Sequence, residues 1–187
     1  MSFLTPQAHG EKEVLVTFAL QQLSQLRTTV HGLTNEQAHS TPSASAVNLT
    51  GLLRHCGLVA AGWSTMMVQQ SSEPAVPQDI GEDMTMEDSV ADTSTLGETL
   101  AFFDRCVAYA SEQLEALQDL SAPVPVPDAP WYPPELKSWE VRWTLLQLIT
   151  EVSRHSGHAD IIRESIDGKG SYELNDLADG LDPNREW

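Results

Sequence analysis

The sequence predicts an all-α protein: a four-helix bundle with long crossover connections. Three observations carry this. Apolar residues recur at intervals of three and four over four long stretches, the period of a helix with one buried face. No stretch shows convincing strand alternation. The links between the stretches are long, roughly 14 to 23 residues, which suits crossovers more than tight hairpins. A chain of 187 residues fits one domain (1–187), with its core at about 11–168 and a polar tail at 169–187.

Residues 1–10 read as a flexible or draping arm. The first helix is expected over 11–30, where Leu15, Ala19, Leu23, Leu26 and Val30 line one face and His31-Gly32 ends it. His9, His31 and His39 are expected in solvent. Asn48 is placed to cap a second helix over 48–70. Leu49, Leu52, Leu53, Cys56, Val59, Ala60, Trp63 and Met67 give it a wide apolar face, with His55 at the edge. Residues 71–92 hold seven acidic residues and no Lys or Arg, and read as a solvated, inert loop. A third helix follows over 93–120 with a near-heptad stripe of Leu96, Leu100, Phe103, Val107, Ala110, Leu114 and Leu117. That stripe has no metal-competent residue and reads as scaffold. Six prolines in 121–134 forbid a helix through their middle, and Trp131 and Tyr132 are expected to pin the segment or wall a pocket. In the tail, Tyr172, Leu174 and Leu177 are available to pack down.

The fourth helix, 139–168, is the longest and carries most of the chemistry; Asp167-Gly168 closes it. Leu145, Ile149, Val152, Ala159 and Ile166 form its core stripe. Beside them runs a second stripe, Leu148, Glu151, His155, His158 and Ile162, with three metal-competent groups between apolar ends. The plainer reading is a set of hydrogen-bonded structural groups. As metal ligands they are limited by geometry: Glu151 and His158 lie about two turns, roughly 10 Å, apart along the axis. The pairs open to one ion are therefore Glu151 with His155, or His155 with His158, completed from another helix. His55 is the candidate there, although a lone His at such an edge is more often structural. His55, Glu151 and His155 would give an N/N/O set that takes Zn²⁺, Ni²⁺ or Fe²⁺ and leaves a coordination position open. A divalent ion would leave the centre about +1 and would lower the pKa of a bound water or thiol. His55 and Cys56 point about 100° apart, which speaks against a Cys–His nucleophile pair.

Composition removes several function classes. With 10 Lys+Arg against 27 Asp+Glu the net charge is −17, so nucleic acid and anionic membrane surfaces are poor partners. No apolar run is long enough to span a bilayer. Two cysteines without a CxxC spacing, and an N-terminus lacking a basic region before an apolar run, lead us to expect a reduced cytoplasmic chain. Arg142, Arg154 and Arg163 all fall on the fourth helix; structural ion pairs, for example with Asp160, are favoured over contact with an anionic substrate. A homodimer is compatible with the sequence.

The segments LTGLLRHCGLVAAGW and TEVSRHSGHADIIRESIDG, with LTNEQAHSTPSASAVN and EVRWTLLQLITE, resemble the DinB-like four-helix-bundle metalloproteins, in particular their actinobacterial, mycothiol-transferase-like branch. The resemblance spans roughly residues 11–168. It implies a divalent metal, zinc first and nickel or iron as alternatives, held by one His of the second helix and two residues a turn apart on the fourth. His55 and the Glu151-x₃-His155 pair match that pattern. His158 fits the RHSGHAD run as a ligand or as the partner of one. The resemblance further implies a small thiol such as mycothiol or bacillithiol as co-substrate. Its thiolate attacks an electrophile or drives an isomerisation. One departure is the apolar Val59-Ala60-Ala61, where relatives often carry an acidic or polar residue. The expected function is a metal-dependent S-transferase. A non-catalytic, stress-associated metal-binding bundle, a thiol-dependent isomerase and a plain helical interaction module are the rivals.

Overall fold

The computed structural model describes residues 3–81, 85–130 and 132–182. Four long helices form the bundle: α1 (Glu11–Thr28), α3 (Leu49–Gln69), α5 (Leu96–Ala116) and α6 (Val141–Asp167). Three short helices sit in the connections and tail: α2 (Asn35–His39), α4 (Met86–Ala91) and α7 (Ser171–Ala178). The bundle is all-α apart from a short ladder of β1 (Pro123–Pro125) with β2 (Ser138–Glu140), paired antiparallel with Val124 opposite Trp139.

Side-chain cross-links give the direction of each helix. Glu11 pairs with Arg142, Ser156 donates to the Gln22 carbonyl and Arg163 donates to the Thr29 carbonyl, so α1 and α6 run parallel. Lys12 reaches the Glu115 carbonyl while Arg27 pairs with Asp104, so α1 and α5 are antiparallel. Arg54 covers Phe102 and Thr65 donates to Tyr109, so α3 and α5 are parallel. The neighbours around the ring are α1, α6, α3 and α5, with α1/α3 and α5/α6 on the diagonals. This order explains the long links. Two successive helices that are parallel and adjacent, α3 and α5, need a chain that runs back the length of the bundle. The other two links cross a diagonal at the bundle end.

The apolar stripes meet at the centre. Leu23, Leu26, Leu52, Leu53, Phe103, Leu114, Leu145, Leu148 and Val152 are all buried, as are both free cysteines. Hydroxyl and amide caps start the helices. Asn48 accepts from the Gly51 N–H, and Thr34 and Thr95 form reciprocal boxes with Gln37 and Glu98.

Several expectations need correction. The fourth helix starts at Val141, not 139, because Ser138–Glu140 pairs as β2 with the proline-rich segment. Glu140 gives no side-chain cap; instead the Val141 and Arg142 N–H groups donate to the Ala122 and Leu120 carbonyls. Alternating Pro123 and Pro125 suit a strand with a free edge, since they bring no N–H to it. Tyr132 packs edge-on against Trp139 at 5.3 Å, as a pinning residue should; Trp131 lies outside the described residues. The acidic link is not wholly solvated: Thr85 caps α4, and Ser89 and Ile80 are buried. His39 is half-buried, with Nδ1 donating to the Asn35 carbonyl at 2.8 Å. The tail forms α7, with Leu174 buried and Asn175 in a reciprocal amide pair with Gln25. The arm is tied by Gln21 donating to the Phe3 carbonyl and by the Phe3 ring against Tyr172. No helix among the described residues is long and apolar enough to cross a membrane.

Gly51 sets how close α4 lies to α3. A Cβ there would stand 2.7 Å from Val90 Cγ2 and 2.9 Å from its Cα. Alanine gains about 1 kcal/mol in helix propensity, but overpacking against backbone costs about 1–3 kcal/mol. Gly51→Ala is therefore expected to lower stability by up to about 2 kcal/mol in urea denaturation; a raised midpoint would show that α4 is not docked there.

Candidate metal centre

Helices α3 and α6 are antiparallel neighbours. His55 meets Glu151 and His155 near one end, while Met67 and Gln70 share a cleft with Val141 near the other. The phase of each helix is set by its buried stripe. Leu52, Cys56 and Val59 bury on α3, and Leu148, Val152 and Ile162 bury on α6. His55 and the Glu151/His155 pair lie at the edges of those stripes, so burying the stripes turns the three side chains toward one another.

One ligand atom from each of His55, Glu151 and His155 lies within 4.8 Å of the other two. His155 Nε2 is 3.1 Å from Glu151 Oε1, and His55 Nε2 is 3.6 Å from the same oxygen. The two imidazole rings meet edge to face at 5.0 Å. Side-chain exposures of 16% for His55, 13% for His155 and 28% for Glu151 leave the cluster half-open, reachable by a small molecule.

Hydrogen bonding within the cluster is incomplete. Nδ1 of His55 and Nδ1 of His155 are buried without a partner. His55 Nε2 stands beyond hydrogen-bond distance of Glu151, so among the described residues His55 forms no hydrogen bond at either nitrogen. His55 Nε2, 3.6 Å from Glu151 Oε1, is the nitrogen that an added group between α3 and α6 would satisfy; a group on the Nε2 side does not reach the two Nδ1 atoms. A divalent cation fits the donor set. Ligand atoms on a tetrahedral ion with bonds of about 2.1 Å stand roughly 3.4 Å apart, and the 3.1 and 3.6 Å separations bracket that spacing. Burial pushes the His155 pKa below the usual histidine value, opposed by the Glu151 carboxylate. A neutral imidazole is the form that can donate a lone pair.

His158 does not join these three atoms. Its side chain is exposed, with its ring 5.6 Å from that of His155. Val59, Ala60 and Ala61 are core residues. Two of the three arginines are in ion pairs, though not with Asp160. Arg142 holds Glu11 and Glu140, and the buried Arg163 holds Asp167 and the Thr29 and His31 carbonyls. Arg154 is exposed and has no ion pair among the described residues. Burial, then Glu164, pushes the Asp160 pKa up to about 6.

Bundle and cluster together define a DinB-like helical protein with a His/Glu/His candidate metal centre. The chain belongs to the mycothiol-S-transferase family, whose model matches residues 14–168. A conserved protein of Enterococcus faecalis, known from its crystal structure, shares the fold: the TM-score is 0.64 at 17% identity, over 87% of this chain and 100% of that one. No curated protein matches the chain.

In metal-free protein the His155 ring is expected to titrate below the ordinary histidine value of about 6.5. Glu151→Gln removes the opposing carboxylate and should lower it further. Histidine ring NMR over pH 4–8 reads both, and a rise in the variant would contradict this electrostatic account.

Proposed function

We propose that this protein, a single bundle domain, is a metal-dependent thiol S-transferase, with His55, Glu151 and His155 as the metal ligands. The observation that carries the reading is the convergence of two hydrogen-bond-deficient imidazoles on one carboxylate oxygen, half-open to solvent. Zinc is the ion we favour; nickel and iron(II) suit the same N/N/O donors. When bound, such an ion lowers the pKa of a small thiol and keeps it as thiolate at neutral pH.

The remaining roles fall to the chain. The reacting thiol cannot be its own. Cys56 and Cys106 are fully buried, and burial pushes both thiol pKa values up, that of Cys106 to about 12. The nucleophile must therefore arrive as a co-substrate, which agrees with the family. Glu151 contributes the one negative charge among the ligands and so offsets part of the charge of the ion. The half-open mouth lets the thiol proton leave to water. The thiolate sulfur then forms a bond to an electrophilic carbon, and the leaving group departs with the electron pair of the bond it gives up. In this reading His158, its ring 5.6 Å from that of His155 at the exposed rim, touches a ligand rather than holding the ion.

Untagged protein is expected to carry about one equivalent of divalent metal by elemental analysis, lost in the His55→Ala/His155→Ala double variant. Mycothiol-dependent consumption of monochlorobimane should fall at least about 100-fold with it, roughly 2.7 kcal/mol of transition-state stabilisation. Full activity without metal would refute the ligand assignment. Stoichiometric metal with no turnover of any cellular thiol would leave a non-catalytic metal-binding bundle.

A further inference from the structure

Helix α6 packs on α1 along one edge and on α3 along the other, and its third face looks outward. Three large apolar side chains stand on that face, Trp143, Leu146 and Ile161, 43% to 58% exposed. The exposed residues of α6 from Trp143 to Ile161 include no Asp or Glu. In a chain with 27 Asp+Glu against 10 Lys+Arg, a helix face free of carboxylates over five turns is the exception. Phe18, 44% exposed, widens the apolar surface onto α1; it follows Glu11 by two turns, and Glu11 pairs with Arg142 of α6. Gly157 lies within the helix with open space beyond it, where a Cβ would meet nothing within 4 Å. Glycine inside a helix weakens it relative to alanine, and no neighbour within the chain requires its small size.

We propose that the outward face of α6 binds a second copy of this chain, α6 against α6, antiparallel about a two-fold axis level with Val152. Such an axis brings to one level the residues that stand equally far before and after Val152. It also sets the α1 edge of one copy beside the α1 edge of the other, and α3 edge beside α3 edge. Leu146 and Gly157 share the α1 edge, being three turns apart and in line one turn after Arg142. Leu146 of each copy therefore fills the space beside Gly157 of the other. Trp143 lies against Ile161 of the other copy. Gln147 and His158 share the α3 edge with Glu151 and His155, so Gln147 of the second copy comes beside His158, at the mouth of the candidate metal centre. Charge selects this occupant. Two bodies of net charge −17 repel, and they meet most easily where neither presents a carboxylate. A basic partner would be drawn to the acidic surface elsewhere. The stripe is roughly 27 Å long and 10 Å wide, well under the roughly 800 Å² per copy of a standard interface, so the dimer is a weak one. It needs no thiol chemistry and stands apart from the transferase reading.

Sedimentation equilibrium of the full chain over about 1–300 µM tests this. We expect reversible dimerisation with a Kd of about 10–100 µM. Raising NaCl from about 0.15 M to about 0.5 M should tighten it about threefold, because salt screens the repulsion between the two acidic bodies. Leu146→Glu and Gly157→Gln should each weaken it about tenfold or more. Both positions face water in the single chain, so thermal midpoints of dilute protein should hold, or rise for Gly157→Gln. The register is read by mixing the Leu146→Cys and Gly157→Cys proteins under diamide. A disulfide is expected in the mixture and not in either protein alone, where the new thiols stand about 18 and 15 Å apart along the axis. Cys56 and Cys106 are buried and stay out of the exchange. A wild type monomeric at about 300 µM in high salt, a dimer untouched by both variants, or one that salt dissociates would overturn the proposal. Disulfide in either single protein to the same yield as in the mixture would overturn the antiparallel register.

Discussion

The antiparallel contact of α3 with α6 is the constraint on which the site depends. A rotation of either helix by one residue, about 100°, would swing His55 or the Glu151/His155 pair into the core or out to water. What prevents it is apolar burial beside the cluster. Leu52, Cys56, Val59, Leu148, Val152 and Ile162 are all at most 5% exposed. Each large side chain there contributes about 1.5–3 kcal/mol. Leaving an imidazole nitrogen unsatisfied costs about 1–3 kcal/mol. The apolar term is the larger, so the core sets the geometry and the three polar groups follow it.

The bundle ends hold this contact in register. Arg163, 2% exposed, ties the end of α6 to the end of α1 through two carbonyls, and to Asp167 through a forked pair. Such buried, charge-assisted bonds are worth about 1.5–3 kcal/mol each. At the other end, Arg142 with Glu11 lies in solvent, where water and salt screen the attraction. The C-terminal halves of α1 and α6 are thus fastened more firmly than their N-terminal halves. Glu151 and His155 sit between the two ties on α6.

Much of this was legible in the sequence. The periods of the four stripes gave the helices and the buried face of each, because burial of one face is what a 3.6-residue repeat encodes. Asn48 and Gly168 marked boundaries by local chemistry that needs no partner. His55, Glu151 and His155 could be paired because an interval of four fixes two of them on one face. The β1–β2 ladder was not legible, since Pro123 and Pro125 argue against strands until a partner at Ser138–Glu140 is known. Nor were the docked α4, α7 and the half-buried His39, whose burial depends on distant surfaces. His158 stayed open as a ligand or the partner of one, because helical spacing reports the face and not the depth at which a side chain ends.

The central claim is that one ion is bound by residues from both α3 and α6. X-ray absorption of protein loaded with one equivalent of zinc tests it most directly. The account predicts nitrogen and oxygen neighbours at about 2.0–2.1 Å, with the outer-shell signature of two imidazoles falling to one in His55→Ala. Sulfur neighbours at about 2.3 Å, or an imidazole count untouched by His55→Ala, would contradict it.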